Sequence, residues 1–328
     1  MTEFPNAQSI AYHRAHHRFT MLAAGCVFLL IVAGALVTSN DAGLSVPDWP
    51  TSFGSLYRIP PLVGGVKFEH GHRMLAEFIG LLTIAVAWWT QKVEQRRWMR
   101  ILGWCALGTV IAQGILGGLT VLFYLPPAVS TAHATLAQIF FCIMVSMAFL
   151  TSRSWVQAPA ILIHAGARPR LTTLAAMTVA AVWGQLIMGA AFRHSGIRLL
   201  PHILGACVVF VMVNWLAITV LKRHRLAPQL ATPARVLLIL LGVQIALGIA
   251  SYITRVLWSR GTATPLASMV IATVAHVACG ALLLVTAVIL AIQISRHVEA
   301  QTEPETELET KSQTGLEAVR PPAGAVRA

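Results

Sequence analysis

Residues 101–152 read ILGWCALGTVIAQGILGGLTVLFYLPPAVSTAHATLAQIFFCIMVSMAFLTS, which is 52 positions without Asp, Glu, Lys or Arg. A membrane-crossing helix needs about 20 apolar residues, so this stretch is long enough for two. Pro126 and Pro127 interrupt it near its centre, because proline lacks an amide proton and the residue before it avoids helical geometry. The stretch therefore predicts two transmembrane helices joined by a short turn.

The rest of the chain has the same character. Hydrophobic residues make up 56% of the 328 positions and charged residues 11%, against roughly 25% charged in a soluble domain. A soluble enzyme is excluded. The net charge of +12 does not indicate nucleic acid binding, because the basic residues lie in short clusters between apolar stretches, where they set membrane topology.

Dividing the chain at its charges predicts an all-α membrane protein with eight transmembrane helices. In the second helix the uncharged part, residues 78–91, is too short to cross about 30 Å of hydrocarbon. That helix must therefore begin near Phe68 and carry Glu69, Arg73 and Glu77 into the membrane. The predicted helices span residues 19–39, 68–91, 101–123, 129–151, 171–192, 198–221, 235–254 and 266–295.

Loop charges predict the orientation. One side of the membrane receives 14 basic residues and the other six, so the positive-inside rule places both termini in the cytoplasm. The first 18 residues lack the pattern of a mitochondrial presequence, and the first apolar run has no small-residue cleavage site. We therefore expect a bacterial inner membrane.

Two short similarities indicate an internal repeat. Residues 33–39, AGALVTS, resemble residues 188–194, MGAAFRH, and Gln113-Gly-Ile-Leu-Gly resembles Gln244-Ile-Ala-Leu-Gly. Together they predict two pseudo-symmetric four-helix bundles with the same orientation in the membrane. The expected organisation is a cytoplasmic segment 1–18, a first half 19–152, a cytoplasmic linker 153–170, a second half 171–295 and a disordered acidic tail 296–328.

Four histidines are expected at one depth near the outer face, on the second and fourth helices of each half. A single histidine on an apolar helix is more often a packing residue, but four in repeat-related positions favour two heme sites with paired imidazole ligands. Zinc is less favoured, because no Cys or further His completes four ligands. We pair His72 with His133 and His202 with His276 as axial ligands of heme iron.

The two halves differ beside one histidine. Glu69 lies three residues before His72 and on the same helical face, whereas Leu199 lies three residues before His202. A buried carboxylate is costly and usually marks function; the alternative is an ion-pair ladder of Glu69, Arg73 and Glu77. The difference predicts that one site performs chemistry and the other serves it.

These residues resemble the heme A synthase family, membrane enzymes of cytochrome oxidase assembly. The similarity extends over about residues 19–295 and implies eight helices in two related halves. The matching pieces are AGLSVPDWP at 42–50, EHGHRM at 69–74, QGILGG at 113–118, STAH at 130–133, LPH at 200–202 and AH at 275–276.

The resemblance implies roles for the two sites. His202 and His276 would hold a permanent heme b, while His72 and His133 would receive heme O as substrate. There a porphyrin methyl group would be oxidised to a formyl group, giving heme A for cytochrome oxidase. Glu69 would be the catalytic carboxylate, as a proton acceptor or a stabiliser of a cationic intermediate. Expected partners are heme O synthase, cytochrome oxidase assembly proteins, membrane lipid and a second copy of the chain.

The chain departs from the family pattern in its first outer loop. Some members carry a cysteine pair around the Asp-Trp-Pro motif, where this chain has Ser45, Val46 and Ser52. An outer-loop disulfide is not expected, so the chain resembles the branch without these cysteines. All five cysteines fall in predicted helices: Cys26, Cys105, Cys142, Cys207 and Cys279.

Other outer-face residues leave two interpretations open. Arg193, His194 and Arg198 would either pair with heme propionates or anchor the chain at the interface. Asp48 and Trp49 would either cap the mouth of the first site or form an ordinary interfacial turn. His70 points about 200° around the helix from His72 and should not share its heme.

Two other functions compete with the enzyme. A bis-histidine diheme electron carrier would have the same ligands but no need of a carboxylate beside only one heme, so Glu69 favours the enzyme. A transporter is less favoured, because the ionisable residues lie toward the outer face rather than at the membrane midplane.

Overall fold

The computed structural model describes residues 11–56, 58–157, 163–164, 170–259, 262 and 264–299. Within them, eight helices are long and apolar enough to cross a membrane, which confirms the predicted fold. They are Arg14–Ser39 (α1), Val66–Val93 (α2), Arg97–Leu122 (α3), Pro127–Leu150 (α4), Leu171–Arg193 (α6), Leu199–Arg223 (α7), Pro228–Tyr252 (α8) and Ala267–His297 (α9). The minor elements are a short helix Arg153–Val156 (α5), a π-helix Ile253–Trp258 that continues α8, and two parallel strands, Ile163–His164 (β1) and Val298–Glu299 (β2).

Three helices begin four or more residues earlier than predicted, at Arg14, Arg97 and Pro228. Helix α1 starts at Arg14 rather than at residue 19, because exposed basic side chains do not stop a helix. Helix α8 starts at Pro228 rather than at residue 235 and includes Pro233. Pro228 is the first residue of α8, where the backbone amide has no partner within the helix in any case, whereas Pro233 lies inside the helix.

Each half is a ring of four helices. In the first half, α2 packs against α1 and α3, and α4 packs against the same two helices. Helices α2 and α4 therefore stand at opposite corners. The second half repeats this arrangement, with α7 and α9 at opposite corners between α6 and α8.

The two rings meet through α4 and α9. This central contact is flanked by α1 against α9 and by α4 against α6. Exchanging the halves converts one flanking contact into the other, as a pseudo-twofold axis between α4 and α9 requires.

The core lies toward one end of both rings. We call the other end, where α1, α3 and α6 finish and α2, α4, α7 and α9 begin, the histidine end. On three of the four histidine-bearing helices, the first large, fully buried side chain follows the histidine by about two turns, as Ile79, Phe140 and Leu284 show. The large core side chains on these helices therefore lie further from the histidine end than the histidines do. This arrangement is compatible with a bound group at the level of the histidines.

Some predictions fall on undescribed parts of the chain. The first ten residues, most of the predicted linker 153–170 and the predicted acidic tail beyond residue 299 lie outside the described residues. So do Arg168 and Arg260, which entered the count of loop charges.

Candidate functional site

Each of the four predicted ligand histidines lies against a glycine of the preceding transmembrane helix. A Cβ atom on that glycine would meet Cε1 of the imidazole at a distance tighter than ordinary contact. Only glycine lets the ring approach the neighbouring backbone this closely. The pairs are Gly34 with His72 (3.2 Å), Gly117 with His133 (3.1 Å), Gly189 with His202 (3.1 Å) and Gly248 with His276 (3.1 Å).

The structure thus repeats at two levels: the two halves resemble each other, and each half consists of two similar helical hairpins. Four hairpins, α1–α2, α3–α4, α6–α7 and α8–α9, each present one histidine against one glycine. The histidines lie in the first third of their helices and therefore near the histidine end. Two hairpins complete one ring, and two rings give two sites.

The second pair of histidines has the spacing of two ligands of one metal ion. The ring centroids of His202 and His276 lie 6.3 Å apart, and their planes make an angle of 79°. Imidazoles bound at about 2 Å on opposite sides of one ion have centroids roughly 6 Å apart. The pair therefore fits both axial positions of a heme iron.

The first pair occupies the equivalent corners of its ring. His72 lies on α2 and His133 on α4, and Nδ1 of each is buried without a hydrogen-bond partner. Among the described residues, no three His, Cys, Asp or Glu side chains are grouped to hold a metal ion. A two-histidine site is completed by a porphyrin, which supplies the four equatorial ligands itself.

Glu69 lies one turn before His72 and is buried, with 4% of its surface exposed. Its Oε1 accepts a hydrogen bond from Arg73 Nη2 at 2.6 Å, and its Oε2 accepts one from the Val46 amide at 2.9 Å. The first rung of the alternative ion-pair ladder is therefore present. Glu77 is exposed on the outside of the ring.

Arg73 fastens the loop between α1 and α2. Its guanidinium donates to the carbonyl oxygens of Val46 (3.2 Å), Asp48 (2.7 Å) and Thr51 (3.2 Å) as well as to Glu69. These contacts hold the backbone of residues 46–51 beside the first turns of α2. Glu69 and Arg73 thus have a structural role in addition to any chemical one.

The Asp-Trp-Pro segment stabilises the loop between α1 and α2 internally and packs it against α3. The Asp48 carboxylate accepts hydrogen bonds from the Phe53 amide at 2.7 Å and from the Gly54 amide at 2.8 Å. Burial raises the pKa of Asp48, but hydrogen bonds from Thr51 and these amides outweigh it and lower the pKa below 3.8. The Trp49 ring lies so close to Gly118 that a Cβ there would overlap it. Trp49 therefore packs next to the Gly117–His133 pair.

His70 belongs to the loop contact and not to the histidine pair. Its Nδ1 lies 3.1 Å from the Ser52 hydroxyl, on the side of α2 away from His72, which agrees with the predicted rotation around the helix.

Arg193 joins the two halves at the histidine end. It donates to the Ser39 hydroxyl at 2.8 Å, and Ser39 lies 2.9 Å from the Thr273 hydroxyl. These hydrogen bonds connect α6, α1 and α9. The last residue in the series, Thr273, lies one turn before His276. Arg198, by contrast, is exposed at the start of α7.

His194 directly follows the last residue of α6. Burial, then the charges of Arg193, His133 and Arg255, lower the pKa of His194 from 6.5 to about 4. A neutral imidazole is therefore expected there near pH 7.

Three glutamines were only partly recognised from the sequence. Gln113 donates to the His133 carbonyl at 2.9 Å, and Gln185 donates to the His202 carbonyl at 2.8 Å. Gln244 Nε2 lies 3.4 Å from His276 Nε2. The signal that identifies all three is a Gln-x-x-x-Gly pattern at 113–117, 185–189 and 244–248; the internal repeat described above contains only Gln113 and Gln244.

The five cysteines lie where the sequence predicts. Cys26, Cys105, Cys142, Cys207 and Cys279 are all in transmembrane helices and all are free thiols. None of them is placed to bridge the loop that Arg73 fastens.

The known proteins whose sequences resemble this chain have related descriptions. Residues 66–200 match the model of a family described as cytochrome oxidase assembly protein. The chain is 24% identical over 205 residues to a heme A synthase of Halalkalibacterium halodurans, 62% of this chain and 65% of that protein. It is 25% identical over 267 residues to the heme A synthase of Shouchella clausii, 74% of this chain and 88% of that protein.

A third relative has higher identity over a shorter stretch. The heme A synthase of Symbiobacterium thermophilum is 32% identical over 192 residues, which is 55% of this chain and 60% of that protein. In two of these three relatives the match spans less than two thirds of the relative's length. The matched family residues include α2, α3, α4 and α6, and hence the first histidine pair and Glu69.

Proposed function

We propose that this chain, which belongs to the cytochrome oxidase assembly protein family, is a heme A synthase that oxidises a porphyrin methyl group of heme O to a formyl group. The observation that carries the proposal is a difference between two otherwise equal sites. Both have a pair of histidines backed by glycines, but only the first has a carboxylate, Glu69, one turn from a histidine. A chain that only transferred electrons would not need it.

The first site would hold the substrate. His72 and His133 would bind the iron of heme O from opposite corners of the ring, and the 46–54 loop would exclude water from the histidine end. A bound heme supplies one-electron redox chemistry at its iron. Glu69, held by Arg73 and the Val46 amide, would accept a proton or stabilise positive charge at the reacting methyl group.

The second site would hold a resident heme b. The 6.3 Å separation of the His202 and His276 rings supports this. Arg193 and Arg198 lie at the histidine end, where heme propionates would need cationic partners. Arg193 is the better placed of the two, because its contact with Ser39 holds it at the junction of the halves.

The proposal includes a location and partners. Both termini would face the cytoplasm of a bacterium and the histidine end would face outward across the inner membrane. Heme O would come from heme O synthase, and heme A would pass to cytochrome oxidase assembly proteins, with a homo-oligomer as a further association. The chain would belong to the branch without outer-loop cysteines.

Co-expression with a heme O synthase tests the proposal. Hemes extracted from the detergent-purified protein are separated by chromatography and quantified as pyridine hemochromes. We expect heme b together with heme A or a hydroxylated heme O. Heme b alone, at about two per chain with heme O present in the same membranes, would instead identify a diheme electron carrier.

A further inference from the structure

The four hairpins are alike in glycine and histidine but not in the residue one turn before the glycine. That residue is Gln113 in α3, Gln185 in α6 and Gln244 in α8, whereas in α1 it is Leu30. Residues four apart share one helical face, so each of these side chains lies on the glycine's side of its helix. Three histidines therefore have a glutamine neighbour and His72 has none of this kind.

The glutamines fix the position of the histidine-bearing turn. Gln113 and Gln185 donate to the peptide carbonyl of their histidine at 2.9 and 2.8 Å. Gln185 Nε2 also lies 3.1 Å from His202 Nδ1, and Gln244 Nε2 lies 3.4 Å from a nitrogen of the His276 ring. Each contact joins the two helices of a hairpin at the level of the ligand.

Each glutamine also keeps an unused acceptor near its histidine. The Oε1 atoms of Gln113, Gln185 and Gln244 are buried without a hydrogen-bond partner, as is Nδ1 of His133 and His276. An axial histidine usually donates its free ring N–H to such an acceptor, which orients the imidazole and strengthens its bond to the metal. The amide oxygens are suited to this role in a loaded site.

Leu30 cannot replace a glutamine in either contact. Its side chain has no donor for the histidine carbonyl and no acceptor for a ring N–H, and it packs instead in the apolar core of the first half. Nδ1 of His72 is buried without a partner. Among the four ligands, His72 is thus held by its glycine contact without the added glutamine.

We infer that Gln113, Gln185 and Gln244 are positioning residues for the axial histidines, and that Leu30 makes His72 the exchangeable ligand through which substrate heme enters and leaves. The second ring has two glutamine-supported histidines, as a resident heme requires. The first ring has one, as a site that must release its product requires. This inference rests on the proposed heme-binding function.

Heme transfer from the purified holoprotein to excess apomyoglobin tests the inference. We expect two kinetic phases, a fast one from the first site that disappears in His72→Ala and a slow one from the second. Leu30→Gln should slow the fast phase by about tenfold or more, the scale on which partners of metal ligands change affinity. Gln244→Leu should accelerate the slow phase by a similar factor.

Leu29→Gln is the matched control for the added glutamine. Leu29 is adjacent to Leu30 but exposed on the outside of the ring, so this variant should leave both phases unchanged. Carbon monoxide binding gives a readout that altered folding would not imitate. Leu30→Gln should lower the fraction of reduced heme that binds carbon monoxide, because a better-held His72 leaves the iron less often.

The outcomes separate this inference from the proposed function. Equal transfer rates in wild type, Leu30→Gln and Gln244→Leu, in protein that still makes heme A, would overturn the inference alone. Protein that binds no heme at either histidine pair would overturn the proposed function and the inference with it.

Discussion

Glu69 and Arg73, one turn apart on α2, form an ion pair at 2.6 Å, and both also bind the backbone of the loop that follows α1. The pair therefore connects the helix that carries His72 to the backbone of residues 46–51. A change in the carboxylate is expected to affect the chemistry and the loop together, and the two effects need separate variants.

Replacing Glu69 tests its chemical role. Glu69→Ala should abolish heme A formation while heme b stays bound through His202 and His276. Removing one member of a buried ion pair also costs on the order of 3 kcal/mol of stability. Heme analysis and thermal unfolding of the purified variant measure the two effects.

Glu69→Gln distinguishes the charge from the loop contact. Glutamine carries no charge and keeps one of the two acceptor oxygens, so it can still accept a hydrogen bond from Arg73 or from the Val46 amide. We expect Glu69→Gln to lose the activity and to retain more of the loop contact than Glu69→Ala. Full heme A production by Glu69→Ala would remove this residue from the mechanism.

Two glycine variants in α8 test the contact between Gly248 and His276. A Cβ at Gly248 would lie 3.1 Å from the His276 ring, whereas a Cβ at Gly242 would have no atom within 4 Å. Gly248→Ala should displace the imidazole and weaken the bis-histidine heme b spectrum. Gly242→Ala should leave the spectrum intact and stabilise the helix by about 0.5–1 kcal/mol. Identical spectra for both would contradict the proposed heme contact.

The Trp49 contact predicts a similar pair in α3. A Cβ at Gly118 would overlap the Trp49 ring, whose Cδ2 atom would be the nearest, while one at Gly114 would meet nothing within 4 Å. Gly118→Ala should displace the loop, expose it to trypsin at Arg58 and reduce heme A formation. Gly114→Ala should behave as wild type. Unchanged proteolysis in Gly118→Ala would show that Trp49 does not close the site.

Replacing Arg193 and replacing Arg198 should have different effects on stability and heme content. Arg193 donates to the Ser39 hydroxyl at 2.8 Å, so Arg193→Gln should cost about 1–3 kcal/mol and lower the heme b content. Arg198 is exposed, and Arg198→Gln should change stability by less than about 0.5 kcal/mol. Thermal unfolding and the ratio of heme to protein check both. Equal losses would contradict the central position of Arg193.

The sequence was sufficient for the helices, and it singled out four histidines that each lie against a glycine of the preceding transmembrane helix. Long uncharged stretches locate the eight spans because the membrane interior excludes charge, and the histidines stand out because so few polar residues occur in those spans. Helix ends were less accurate, as Arg14 and Pro228 show. Charge and proline indicate where a helix can end, but neighbouring packing decides where it does.

The partners of the site residues could not be predicted in the same way. Gly34 and His72 are 38 positions apart, and Arg73 reaches carbonyl oxygens more than 20 residues away. Such contacts depend on which helices are neighbours, and hydrophobic patterns do not specify neighbours. The glutamines were the accessible exception, since the spacing Gln-x-x-x-Gly recurs in three helices and needed only to be compared with α1.

The most direct test of two distinct heme sites is the heme content of His133→Ala and His276→Ala, each co-expressed with a heme O synthase and purified beside the wild type. Extracted hemes are separated by chromatography. We predict that His276→Ala lacks the stable heme b, and that His133→Ala keeps heme b but contains neither heme O nor heme A. Loss of heme b from His133→Ala, with heme b retained in His276→Ala, would contradict the assignment of the two sites.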